Sequence, residues 1–143
     1  MSKKSKVFMK TFKDPILIDK LEVCDDTLKI PGFGELTDYH KQSYSCEQVY
    51  TDWAYLVPFI DQQSWPIEVN KFEIVGVKDT GFLLKFVTNH ICEFDNLKLE
   101  VKFFVPCYNC QNGYYSSSLE LQISSNGETI KRSISNYVKD VID

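Results

Sequence analysis

The residues best suited to carry chemistry lie in one short run, Pro106-Cys107-Tyr108-Asn109-Cys110-Gln111-Asn112-Gly113. Two thiolates spaced by two residues at a tight turn can face a single zinc ion, because the turn directs both sulfurs inward. His90 and Cys92 stand upstream, so His90-x-Cys92 with Cys107-x-x-Cys110 would supply the four ligands of a structural zinc site. That set requires the His-x-Cys stretch to be extended, since only in a strand do residues two apart share a face. The plainer reading is two small residues in a hairpin loop of a reduced protein, with no cofactor.

Other chemistries find less support. A catalytic deaminase zinc uses a Cys pair that opens a helix and an upstream His-x-Glu, whereas this pair follows a β run and the upstream triplet is His90-Ile91-Cys92. A redox Cys-x-x-Cys also draws its thiolate character from a helix N-terminus, and none is predicted here. Cys46 opens a predicted helix and could act as a nucleophile with His40 or His90 as its base, but it shares an apolar stripe with Val49, Tyr50 and Trp53 and reads as packed core. With two histidines in the chain, general acid–base catalysis has few candidates, and Glu47, Asp52, Asp61, Asp25 and Asp26 form no distinctive pair. No glycine-rich phosphate loop is present, since Pro31-Gly32-Phe33-Gly34 is too short for one. No catalytic residue is assigned.

Aromatic residues, 14% of the chain, suggest binding instead. Tyr50 and Trp53 fall on the predicted helix's buried stripe, while Tyr55, Trp65, Tyr108, Tyr114 and Tyr115 are the expected contact residues. Exposed Tyr and Trp offer large contact area at small entropic cost, which suits them to anchor an interface.

Charge narrows the partner. Sixteen basic and twenty acidic residues give a net charge of −4, but five lysines precede the first acid, Asp14, so the rest of the chain is more acidic than the total implies. An acidic body repels a phosphate backbone, so nucleic-acid binding through it is disfavoured. Arg132 is the only arginine, which leaves little scope for bidentate carboxylate or phosphate clamps. Five cysteines cannot all pair within the chain, and with no apolar signal segment at the start they point to a reducing, intracellular and cytoplasmic setting. No apolar run reaches the roughly 18 residues of a membrane span.

The elements that must position these residues follow from periodicity. Residues 1–13 are expected as a basic, mobile N-terminal segment, and 14–143 as a single α+β domain with a mainly antiparallel sheet of five to seven strands. Val7 to Ile30 alternates as two or three short strands. Cys46, Val49, Tyr50, Trp53, Val57 and Ile60 recur at spacings of three and four, which predicts a mid-chain helix over about 45–57, capped by Ser45 and Gln48 and ended by Pro58. Phe72–Val77 and Phe82–Thr88 flank Lys78-Asp79-Thr80-Gly81 as a hairpin, and Leu97, Leu99, Val101, Phe103 and Val105 alternate with polar residues as a half-buried strand. Leu119, Leu121 and Ile123 repeat the pattern before Asn126-Gly127, a tight-turn pair, and a return strand over Thr129–Arg132. Ile134, Tyr137, Val138, Val141 and Ile142 predict a short C-terminal helix.

These features point first to a non-catalytic protein-binding module of the inhibitor, immunity or adaptor type, holding a basic protein partner. The alternative is a small-molecule or carbohydrate binder whose pocket on a curved sheet would be lined by Phe72, Phe82, Phe86 and Phe103. An enzyme of unassigned class comes third.

Overall fold

Apolar and polar residues alternate along most of the chain, and in the computed structural model that alternation resolves into strands. The structure describes residues 4–39, 49–92, 95–110 and 119–141. In chain order the strands are β1 (Lys4–Ile18), β2 (Glu22–Cys24), β3 (Thr27–Ile30), β4 (Gly34–Tyr39), β5 (Val49–Thr51), β6 (Ile67–Val77), β7 (Gly81–Cys92), β8 (Asp95–Asn109), β9 (Glu120–Ser125), β10 (Glu128–Ser133) and β11 (Lys139–Asp140). A 3-10 turn at Trp53–Leu56 leads into helix α1 (Val57–Gln62), and a second 3-10 turn spans Ser135–Tyr137. The fold is α+β and mainly antiparallel.

Two sheets result. The larger runs β1-β6-β7-β8-β11, with β5 also paired to β8, and curls into a half-barrel; the smaller runs β10-β9-β4-β3-β2. Every pairing is antiparallel except the short β11–β8 contact. The turns obey local chemistry. Asn126 and Gly127 adopt φ of 52° and 80°, the two positive values a two-residue hairpin needs to match strand twist, and they join β9 to β10 as expected.

The inner faces of both sheets meet in one core. Phe72 and Ile74 of β6, Phe82, Leu84 and Phe86 of β7, and Phe103 and Val105 of β8 belong to the same buried cluster as Leu28, Ile30, Leu36, Leu121 and Ile123 of the smaller sheet. Phe33, from the Pro31–Gly34 turn, is only 7% exposed and packs edge-on against Phe72 at 5.1 Å, so this turn plugs the space between the layers. Burying a side chain of that size stabilises the fold by about 1.5–3 kcal/mol. Two close approaches depend on a missing side chain: a Cβ on Gly34 would lie 1.9 Å from the Ser124 carbonyl oxygen, and one on Gly76 would lie 2.3 Å from the Tyr137 ring.

Several expectations need correction. Val49–Thr51, placed by periodicity in a helix over about 45–57, is strand β5; the helical stretch lies later, at Trp53–Gln62. Three residues alternating in and out fit either period, and the backbone groups of Cys107–Asn109 supply a strand partner that a local helix would leave unused. Pro58 does not end that helix. It occupies the first turn of α1, where its missing N–H costs nothing. The proposed caps Ser45 and Gln48 lie outside the described residues. In place of a C-terminal helix stand one 3-10 turn and β11, which continues along β8. The basic opening segment is not set apart from the sheet: from Lys4 to Thr11 it pairs with β6 as the first part of β1. Finally, Phe72, Phe82, Phe86 and Phe103, expected as the lining of a pocket on a curved sheet, belong to the core cluster. All four are buried, with Phe72 and Phe86 stacked at 4.9 Å, Phe86 edge-on to Phe103, and Phe82 against Trp53.

Candidate functional site

The outer face of β8 carries the candidate site. Along this strand Phe103, Val105 and Cys107 turn inward, which leaves Phe104 and Tyr108 on the opposite side. Tyr50 of β5 pairs directly across from Tyr108, and their rings lie 5.7 Å apart. The 3-10 turn and α1 then bring Tyr55 and Phe59, four residues apart on one helical face, to within 5.3 Å of each other. Tyr55 also meets Phe104 edge-on at 6.4 Å. Tyr50, Tyr55 and Phe59 remain 42%, 43% and 46% exposed, and Val57 beside them 43%. These four residues make up half of the large apolar side chains exposed among the described residues, and they fall within ten positions of the chain.

A part-buried polar network fixes this surface to the core. The Asp38 carboxylate of β4 accepts a hydrogen bond from the Thr51 backbone N–H at 3.0 Å and another from the Trp53 indole N–H at 3.1 Å. The Asp52 N–H donates to the Pro106 carbonyl at 2.9 Å. Trp53 itself is 1% exposed. One carboxylate of the smaller sheet thus holds both the strand that carries Tyr50 and the turn that carries Tyr55. Burial, together with the neighbouring Cys110, Asp52 and Tyr108, raises the Tyr50 phenol above its ordinary value, so it stays neutral and can donate a hydrogen bond at physiological pH.

Compared with known proteins, the chain matches no family, no curated protein and no solved structure.

The expected contact residues separate. Tyr55 and Tyr108 belong to the aromatic surface. Trp65 does not: its ring stacks on Phe103, its indole N–H donates to the Ile60 carbonyl at 3.2 Å, and it packs against the core. Tyr114 and Tyr115 lie outside the described residues. Tyr50, assigned by the helical period to the buried stripe, faces outward because β5 is a strand. Phe104 and Phe59 were not singled out. The Phe103/Phe104 alternation is the signal for the first; for the second there is none until α1 is placed over Val57–Gln62.

The four-ligand zinc proposal fails on register. In the β7–β8 hairpin His90 stands opposite Leu97 and Cys92 opposite Asp95, close to the turn, while Pro106 stands opposite Gly81 at the far end. Ten residues of strand separate Leu97 from Cys107, about 30 Å at the usual rise. One zinc ion needs its ligands within about 2.3 Å. The two Cys-x-x-Cys partners also differ in setting. Cys107 is fully buried beside the Thr51 hydroxyl, and burial pushes its thiol up to about 12, whereas Cys110 is half-buried next to Tyr50. A thiol raised that far is not a ready nucleophile at neutral pH. The side chains of His90 and Cys92, and all of Cys46 and His40, lie outside what the structure describes. Among the described residues no group of three His, Cys, Asp or Glu side chains could hold a metal, and no helix is long and apolar enough to cross a membrane.

Proposed function

We propose that this protein is a protein-binding module that grips its partner with the aromatic surface formed by Tyr50, Tyr55, Phe59, Phe104 and Tyr108. The observation carrying this reading is the concentration of half-exposed apolar side chains on one rigidly anchored patch, where burial by a partner would recover the hydrophobic free energy that folding left unused. Such rings form interface hot spots because they supply area with few torsions to freeze. Asp52 lies beside Tyr50, so the partner is a basic protein surface, drawn in by the carboxylate and held by cation–π contact with the rings.

The test compares affinity capture from native extract by the wild-type protein and by a Tyr55→Ala/Phe59→Ala variant shown to be fully folded at the assay temperature. A polypeptide retained by the first and lost by the second supports the reading, and direct titration should then show at least about a 30-fold weakening. Equal recovery on both would overturn it.

A further inference from the structure

The two sheets leave a seam unclosed between β1 and β10, and its chemistry differs from that of the aromatic surface. β1 ends the larger sheet and β10 ends the smaller, and these two terminal strands approach each other without pairing. Between them lies a groove of about 350 Å³ lined by Phe8 and Lys10 of β1, Phe33, Ile123 of β9, and Glu128 and Ile130 of β10. Phe8 and Phe33 meet edge-on at 6.3 Å at its base. A terminal strand presents a row of backbone donors and acceptors along its outer side, and an extended peptide can complete it by adding as a further strand.

Charge selects which peptide. Lys6, Lys10 and Lys13 stand exposed along β1, and Arg132 is exposed on β10. Lys6 is engaged by Glu73 on the outer face at 3.6 Å, while Lys10 and Lys13 have no ion-pair partner among the described residues. Asp14 follows Lys13, and Glu128 lies on the opposite wall, so the β1 side of the groove is its cationic side. A second copy of this edge would set lysine against lysine, so self-pairing is disfavoured.

We propose that β1, over Ser5–Thr11, receives an extended acidic segment of a partner protein as an added strand, with the segment's apolar side chains seated in the groove between Phe8, Phe33 and Ile130. Backbone pairing supplies length-dependent affinity, the groove takes an apolar residue beside Phe8, and Lys10, on the same face of β1, takes a carboxylate two positions along the segment, with Lys13 adding attraction beyond it. This site is separate from the aromatic surface and stands or falls independently of it.

The probe is the seven-residue peptide Glu-Val-Thr-Glu-Thr-Val-Glu, which presents Val, Glu and Val on one face, titrated by fluorescence anisotropy against the full chain, with backbone hydrogen exchange as the second readout. Two further peptides serve as comparators: a Lys-Val peptide with Lys in place of each Glu, and the Glu-Val peptide with alternate backbone nitrogens methylated so that it cannot pair. The Glu-Val peptide should bind, weaken as salt is raised, and slow exchange over residues 5–11. Lys10→Glu/Lys13→Glu should weaken it about tenfold or more, whereas Tyr55→Ala/Phe59→Ala should not change it. If the charge-reversed variant fails to fold, the methylated peptide decides: loss of binding supports strand addition, and equal binding overturns it. The proposal is also overturned if the Lys-Val peptide binds as well, if protection falls elsewhere, if millimolar Glu-Val peptide does not bind, or if exchange over 5–11 slows with protein concentration alone, which would mark a contact between two copies.

Discussion

The outer face of the larger sheet has two halves built on opposite principles, and the boundary between them falls along β8 between Lys102 and Phe104. In the charged half, Glu73 is only 6% exposed, and its carboxylate lies 3.0 Å from Lys71, 3.6 Å from Lys6 and 3.8 Å from Lys85. Glu100 continues the grid to Lys85 and Lys102 at 3.9 and 3.5 Å. Each of these charges meets an opposite one on its own or a neighbouring strand, so the lysines and carboxylates of this half satisfy one another. The aromatic half, two residues further along the same strand, leaves its apolar groups facing water although the backbone beneath is as firmly held. One half thus meets its charges within the sheet, whereas the other keeps apolar area in water on an equally firm support.

That contrast can be broken from either side, and the largest effect should come from the anchor. Asp38→Ala deprives the Thr51 N–H and the Trp53 indole of their shared acceptor, and should lower stability by about 2–4 kcal/mol in urea unfolding. A loss below about 1 kcal/mol would mean that Asp38 does not hold the aromatic half in place. Glu73→Gln, in the charged half, should cost about 1–3 kcal/mol, because three lysines lose their common counter-ion.

The Glu73 effect should also depend on pH, with a definite sign. Burial works against the charged carboxylate, but the Lys71 hydrogen bond and the charges of Lys71, Lys6 and Lys85 together outweigh it and hold the group below its ordinary value of 4.5. A carboxyl lowered in the folded state adds stability that is fully present above the unfolded value and fades as pH falls through the folded one. Wild type and Glu73→Gln should therefore differ most near neutrality and converge as the pH is taken well below 4.5. A constant gap across that range would remove the ion pairs as its cause.

Smaller again is the expected stability change for Tyr55→Ala/Phe59→Ala, about 1 kcal/mol, since both rings are already half in water; the binding loss set out above is its complement. If the double variant unfolded instead, the aromatic half would be structural and the comparison would collapse. The smallest perturbation is chemical. Cys107 lies under this half, with its thiol pushed up to about 12, so iodoacetamide at pH 8 should modify exposed Cys24 and leave Cys107 unreacted. Peptide mass mapping that found both modified at similar rates would show that the surface opens down to its core.

Some of this was legible in the linear chain. Phe72–Val77, Phe82–Thr88, Leu97–Val105 and Leu119–Ile123 announced their strands because one-sided burial enforces a period of two, and Asn126-Gly127 announced its turn because few residue pairs accept two positive φ values. The site was only partly legible. Tyr55 and Tyr108 were singled out, whereas Tyr50 was assigned inward, Phe104 and Phe59 were passed over, and Trp65 was placed on a surface it does not occupy. Over Val49–Thr51 the helical and strand periods coincide, so local pattern carried no decision there.

What the amino-acid order determined by itself was which stretches pair as strands and where the chain turns, since those follow from side-chain alternation and backbone permissiveness within a few residues. The contacts between distant segments decided the rest. β8 offered β5 a backbone edge, Asp38 of the other sheet tied down the turn behind it, and only then did Tyr50, Tyr55, Phe59, Phe104 and Tyr108 share one surface. The β7–β8 register, equally non-local, carried His90 and Cys92 to one end of a long hairpin and Cys107 to the other. Hydrogen bonding between strands far apart in sequence sets such neighbours, and residue spacing along the chain does not encode it.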